Sequence, residues 1–162
     1  MARPAPLDLD EIDYAILDVL QRDAALSNAE VASKVGLSSS PCWRRIKRLE
    51  DAGVIAGRVA LLNPVALGLE TVVFASIKLA AHSRDALPLF EAAVLRFPEV
   101  MECYTVSGGV DYLLKVVTPD IRGYEQFLRD HLLQMPAVAE VHSRIAITEV
   151  KRATALPLRS LR

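Results

Sequence analysis

Two short segments with helical periodicity, separated only by Gly36 and Leu37, constrain this chain more than any other feature. The first opens at Ser27-Asn28-Ala29-Glu30, a capping box in which the serine oxygen accepts a first-turn N–H and Glu30 reaches back to the cap. It carries Ala29, Val31, Ala32 and Val35 and stops at Gly36. The second runs from Ser38 to Gly53. Ser38, Ser39 and Ser40 offer capping hydroxyls, Pro41 fits a first turn where a missing N–H costs nothing, and Gly53 supplies a stop. Cys42, Ile46 and Leu49 fall at i, i+4, i+7 as one apolar stripe, with Arg44, Lys47 and Arg48 pointing away and Arg45 flanking it. A basic run alone reads equally well as a solvated face. Two helices joined by so tight a Gly-containing turn are, however, the helix-turn-helix arrangement. Its second helix lies in the major groove of double-stranded DNA, its N-terminal half at base edges and flanking cations at phosphates.

The expected DNA contacts are therefore Ser38, Ser39, Ser40, Trp43, Arg44, Arg45, Lys47 and Arg48, with Arg44 and Lys47 reading bases and Arg45 and Arg48 favouring phosphates. Trp43 could touch thymine methyls, or be a tryptophan that packs helices together. Asp8 to Arg22 predicts the first helix of a three-helix unit, with Leu9, Ile12, Ile16, Leu17 and Leu20 apolar. Val54 to Leu62 reads either as a small hairpin wing that brings Arg58 to a phosphate, or as a plain linker strand.

Bulk charge does not favour a polyanion. The formal net charge is −1, with 8 basic against 9 acidic residues up to Pro64 and 11 against 11 beyond it, so DNA affinity must come from the local cluster at 44 to 48. The 162 residues, 52% hydrophobic and 24% charged, hold ample material for one large or two small cores. The N-terminus lacks the apolar core of a signal peptide and no run approaches a membrane span, which predicts a cytoplasmic protein. Cys42 and Cys103 lack C-x-x-C spacing and are expected to be core thiols. His82, His131 and His142 share no metal-ligand spacing, and no Ser-His-Asp order, phosphate loop or paired-carboxylate pocket is visible. The expectation is a protein without metal, cofactor or catalytic constellation.

Beyond the breaker Asn63-Pro64 the pattern predicts strands at Thr71 to Leu79, Val100 to Val106, Tyr112 to Val117 and Val138 to Val150, and helices at Asp85 to Arg96 and Asp120 to Leu133. The order βαββαβ fits a ferredoxin-like sandwich, so the fold class is α+β: residues 1–64 a winged helix-turn-helix and linker, and 65–162 a ferredoxin-like domain. Phe97-Pro98-Glu99-Val100 and Met135-Pro136-Ala137-Val138 echo each other at matching places in its two halves. The strands carry apolar groups on both faces (Val72, Phe74, Ser76 and Val73, Ala75, Ile77), which predicts that the open sheet face is buried against another subunit. In Ser107-Gly108-Gly109-Val110-Asp111 two glycines expose backbone N–H groups able to hold a carboxylate, Asp111 could hold an ammonium group, and Thr105 could add a hydroxyl. A tight hairpin turn with a solvated aspartate is the simpler reading of those residues alone.

Joined together, these features resemble the Lrp/AsnC family of bacterial and archaeal transcription regulators, the feast/famine regulators. The resemblance covers almost the whole chain and is carried by Leu9-Asp10-Glu11-Ile12-Asp13 with Ile16-Leu17, by Pro41 through Glu50, and by Val106 through Leu114. It implies a winged DNA-binding domain and a C-terminal effector and oligomerisation domain. It also implies dimers through the sheet, commonly assembled into octamers, and a response to amino acids. It turns the reading of Thr105, Ser107, Gly108, Gly109 and Asp111 toward an effector site. The P-C-W and T-E-V-K-R-A-T-A-L-P-L stretches look closest to leucine- or cysteine-sensing branches. Sirohaem decarboxylases look like this family too, and a tetrapyrrole decarboxylase is the alternative function; the four cations at 44 to 48 speak against it. A stand-alone effector-binding scaffold would leave residues 9 to 62 without a purpose.

Overall fold

A computed structural model describes residues 7–80 and 86–158. Helix α1 (Glu11–Leu20) starts where Asp10 accepts the Asp13 N–H and Asp13 accepts the Asp10 N–H, a capping box built from two aspartates. The helix is shorter at both ends than the expected Asp8 to Arg22. Helix α2 (Asn28–Val35) has the Ser27–Glu30 box and ends at Gly36, whose φ of 71° is left-handed and turns the chain sharply into α3 (Ser39–Asp51). Helix α3 closes with Gly53 N–H on the Glu50 carbonyl and Val54 N–H on the Leu49 carbonyl. Its start differs from expectation: the Ser38 side chain makes no capping hydrogen bond, and Ser38, Ser39 and Ser40 are exposed.

The three helices close over Ile16, Leu20, Val31, Ala32, Cys42, Ile46 and Leu49. Between Val54 and Leu62 there is no strand, so neither the hairpin nor the linker strand forms there. Val59, Leu61 and Leu62 are exposed along it, which leaves no local partner for a ladder.

The second unit carries β1 (Thr71–Leu79), α4 (Ala86–Val94), β2 (Val100–Thr105), β3 (Tyr112–Thr118), α5 (Ile121–Asp130) and β4 (Val138–Ile145). Asp85, the expected start of α4, and His82 lie outside the described residues. All strand pairs are antiparallel in the order β2-β3-β1-β4, the expected ferredoxin-like topology. A 3-10 turn, Leu132–Gln134, takes over where α5 was expected to continue. Val73, Ala75, Ile77 and Leu79 of β1 and Tyr112, Leu114 and Val116 of β3 pack under Phe90, Val94, Tyr124 and Phe127 of the helices. Leu89, expected on that face, is exposed instead. Cys42 is buried as expected, but Cys103, on the edge strand β2, is exposed.

The opposite sheet face is more polar than expected. Phe74, Leu113 and Tyr104 stand among the pairs Lys115–Glu102 (3.0 Å) and Lys78–Glu140 (3.2 Å), and Arg144 donates to Ser76 at 3.0 Å. The side chains that alternate on the edge strands, Glu102, Glu140 and His142, are the reason.

Residues 62–150 form one compact unit, and residues 151–158 pack with residues 7–61. The sequence reading kept 65–162 together, whereas by its contacts the chain after Val150 lies with the first unit. No described helix is long and apolar enough to cross a membrane.

Candidate DNA interface and effector turn

Helix α3 sorts its cations by face. Ser40, Trp43, Arg44 and Lys47 lie opposite the buried Cys42, Ile46 and Leu49, and all four are exposed, Trp43 by 51%. Trp43 is not among the side chains packed against the core of this unit. Lys47 pairs with Asp51 one turn on at 2.8 Å, which raises the lysine pKa through the hydrogen bond and the nearby negative charge. Such an exposed pair is weak and easily exchanged for a phosphate. Arg44 makes no ion pair among the described residues.

Arg45 and Arg48 are placed differently from expectation. Asp13 of α1 is fully buried and accepts from Arg45 Nη1 at 2.9 Å and from Arg48 Nη2, while Arg45 also reaches Asp10 at 2.6 Å. The hydrogen bond to Asp10 comes first in holding Arg45 protonated, and the Asp13 N–H followed by Arg45 holds the Asp10 carboxyl below its ordinary value. A buried carboxylate needs this compensation, because unpaired it would cost several kcal/mol. Asp13 itself was legible as a charge on the stripe of Leu9, Ile16, Leu17 and Leu20, and that was the signal for a cation partner that the sequence reading missed. Arg58 is also engaged within the unit, pairing with Glu50 of α3 at 3.0 Å.

In the second unit the chain from Val106 to Asp111 is a closed turn, Val106 N–H meeting the Asp111 carbonyl at 3.0 Å. Gly108 has φ +124°, which an L side chain rarely adopts, so glycine is required there. Ser107, Gly108 and Gly109 are exposed, and a Cβ at either glycine would meet nothing within 4 Å. The amides of 107 to 110 make no backbone hydrogen bond among the described residues. Thr105 is exposed at the end of β2.

Asp111 does more than the expected solvated or ammonium-binding aspartate. Its carboxylate accepts the Leu79 N–H at 2.7 Å, and its own N–H donates to the Ile77 carbonyl at 2.8 Å. It thus ties the turn to the end of β1, where the register with β4 shifts between Lys78 and Leu79. Among the described residues no cluster of His, Cys, Asp and Glu could hold a metal ion.

Comparison with known proteins agrees with this division. Residues 72–156 match the Lrp/AsnC ligand binding domain, and residues 9–56 match a winged helix-turn-helix DNA-binding model. The first match runs past Val150, where the chain returns to the first unit. The leucine-responsive regulatory protein of Salmonella typhimurium is 42% identical over 153 residues, 94% of this chain and 93% of that protein. The Escherichia coli K12 protein of the same name is 41% identical over the same spans. A transcriptional regulator from Neisseria meningitidis, solved as a complex with L-Met, matches with a TM-score of 0.92 at 38% identity, covering 96% of this chain and all of that one. An AsnC family regulator from Agrobacterium tumefaciens matches at 0.90 and 45%, covering 95% and 100%. These matches lend no support to the tetrapyrrole decarboxylase reading. With a helix-turn-helix whose second helix turns Trp43, Arg44 and Lys47 outward, joined to an antiparallel four-stranded ligand-binding domain, this chain belongs to the Lrp/AsnC family of DNA-binding transcriptional regulators.

Proposed function

We propose that this protein is a cytoplasmic, amino-acid-responsive regulator that reads double-stranded DNA with Ser38, Ser39, Ser40, Trp43, Arg44 and Lys47 and binds its effector at the turn from Ser107 to Asp111. The observation that carries the DNA assignment is the outward face of α3, where Arg44 is exposed and free of ion pairs among the described residues. Arg45 and Arg48 remain with Asp13 and set the pose of α3, and Arg58 is released from Glu50 to a phosphate. Replacing both Arg44 and Lys47 by Ala lowers operator affinity by about 1 to 3 kcal/mol for each base-reading side chain removed. Operator affinity that does not change in that double variant refutes the assignment.

For the effector, the turn amides suit a carboxylate and Thr105 a further hydrogen bond. The L-Met complex of the Neisseria regulator supports an α-amino acid as the class. Asp111 braces the turn through Leu79, so its loss deforms the site as well as removing a charge. A thermal-shift screen of the twenty amino acids, followed by DNA titrations with any that bind, tests this. The reading fails if no amino acid shifts the melting temperature at millimolar concentration.

The open sheet face, apolar at Phe74 and Leu113 and rimmed by Lys115–Glu102 and Lys78–Glu140, suits a homodimer interface, with octamers as a further assembly. Light scattering that gives a monomer at micromolar concentration contradicts it.

A further inference from the structure

The C-terminal segment is held to the first unit by a specific device. Gln21, the residue that caps α1, donates from Nε2 to the Leu156 carbonyl at 3.2 Å and accepts the Leu156 N–H at Oε1 at 2.8 Å. One side-chain amide thus meets both backbone groups of a single residue 135 positions away, as a neighbouring strand would. Asp18 Oδ1 accepts from the same Nε2 at 3.1 Å, which fixes which end of the amide faces which backbone group. Leu156 is held by its backbone, its residue being 68% exposed, while Ala155 and Leu158 are half-buried. Beside them lies a cavity of about 240 Å³ lined by Leu17, Leu20, Val54, Ile55 and Leu158, with Gln21 and Arg58 as its polar edge.

We propose that residues 154–158 form a strap, a built-in peptide ligand that docks in cis on the DNA-binding unit across the end of α1 and the 54–58 segment, with Gln21 as its bracket. The bracket recognises backbone, and the half-buried Ala155 and Leu158 supply the apolar packing. The effector domain is therefore inserted between two connections to the same unit, at Leu61/Leu62 and at Val150/Lys151. An interface this small is weak for a free peptide. The covalent tether raises its effective concentration to the order of millimolar, which keeps the strap docked yet releasable. Release leaves the DNA-binding unit on a single tether, and this makes the strap a device by which the freedom of that unit can be set.

Amide exchange measures the strap directly, because Arg22 and Asp23 donate to the Val19 carbonyl and Val54 and Ile55 to the Leu49 carbonyl. In a chain ending at Val150, exchange at these four amides is expected to accelerate about tenfold or more while those of Val73 to Ile77 stay unchanged. A synthetic peptide of residues 151–162 at several millimolar is expected to restore protection. Full-length Gln21→Ala is expected to show a smaller acceleration at the same amides and faster tryptic cleavage after Lys151 and Arg152. Unchanged exchange in the tailless chain, protection that the peptide does not restore, or unchanged cleavage in Gln21→Ala overturns the proposal. A short bismaleimide on Ala24→Cys, Leu156→Cys in a Cys103→Ser background, which keeps the Gln21 bracket, decides the chain of origin: a cross-linked species of monomer mass supports docking in cis, and a covalent dimer refutes it.

Discussion

The two cores of this protein are closed by different means. The sheet core packs Val73, Ala75, Ile77, Leu114 and Val116 under two helices, and the buried polar residues of that unit, Ser76 and Thr118, carry hydroxyls rather than charges. The helix-turn-helix core is smaller, and a buried carboxylate, Asp13, sits beside it in the grip of two arginines from α3. Three short helices give few apolar side chains to fix the angle between α1 and α3. A charge clamp supplies directionality that hydrophobic burial lacks, since hydrogen bonds have preferred geometry and burial does not. The helix whose outer face carries Trp43, Arg44 and Lys47 is thereby locked from behind by its own remaining cations.

Breaking the clamp on the arginine side is expected to have the largest effect. Arg45→Ala with Arg48→Ala leaves the buried Asp13 carboxylate with the Asp10 N–H but no cation, and should lower stability by about 3 to 5 kcal/mol. The emission of Trp43, the one tryptophan of the chain, reads that loss in urea titrations. A cost below about 1 kcal/mol, the range of an exposed pair, would show that the two cores do not differ in this way.

The matching lesion in the sheet core is Leu114→Ala, expected to cost about 2 to 5 kcal/mol through reduced burial and a cavity. Its mark is faster amide exchange in the β1–β3 ladder, with a stability cost that salt does not alter, whereas the clamp variants should lose their penalty in part as salt rises.

A smaller effect is expected at Gly108. Alanine there meets no neighbouring atom, so its penalty is the positive φ alone, about 1 to 2 kcal/mol. Gly109→Ala, whose glycine has no positive φ, is the control and should be near neutral. Equal costs at both positions would mean that the turn is not held in the conformation described.

The smallest effect concerns pH. The Asp10 carboxyl lies below its ordinary value of 3.8, first because of the Asp13 N–H and then Arg45. Its contribution is complete above the unfolded value and is lost as the pH falls through the lower, folded one. An NMR titration of Asp10 should show the depressed midpoint, and Arg45→Ala should move it part of the way back.

Much of the fold was legible because it is decided within four residues or by simple periodicity. The Ser27–Glu30 box, the Gly36 turn, the apolar stripe of Cys42, Ile46 and Leu49, and the alternation through β1 and β3 all have local causes. The outward Arg44 and Lys47 follow from helical spacing in the same way. What misled was charge. The sequence pattern treats the four cations of α3 as equivalent, whereas Arg45 and Arg48 are taken up by an aspartate 32 and 35 positions away.

By itself, then, the sequence determined the elements, their order, the helix-turn-helix and the glycine turn, because capping, φ preference and hydrophobic period act between near neighbours. Only the tertiary structure decided which polar groups remain for a ligand. Asp111 braces Leu79, the wing segment stays unpaired, and Gln21 holds Leu156 across 135 positions. A polar side chain bonds to whatever donor or acceptor folding brings within about 3 Å, and that partner is set by the packing of distant elements rather than by its neighbours in the chain.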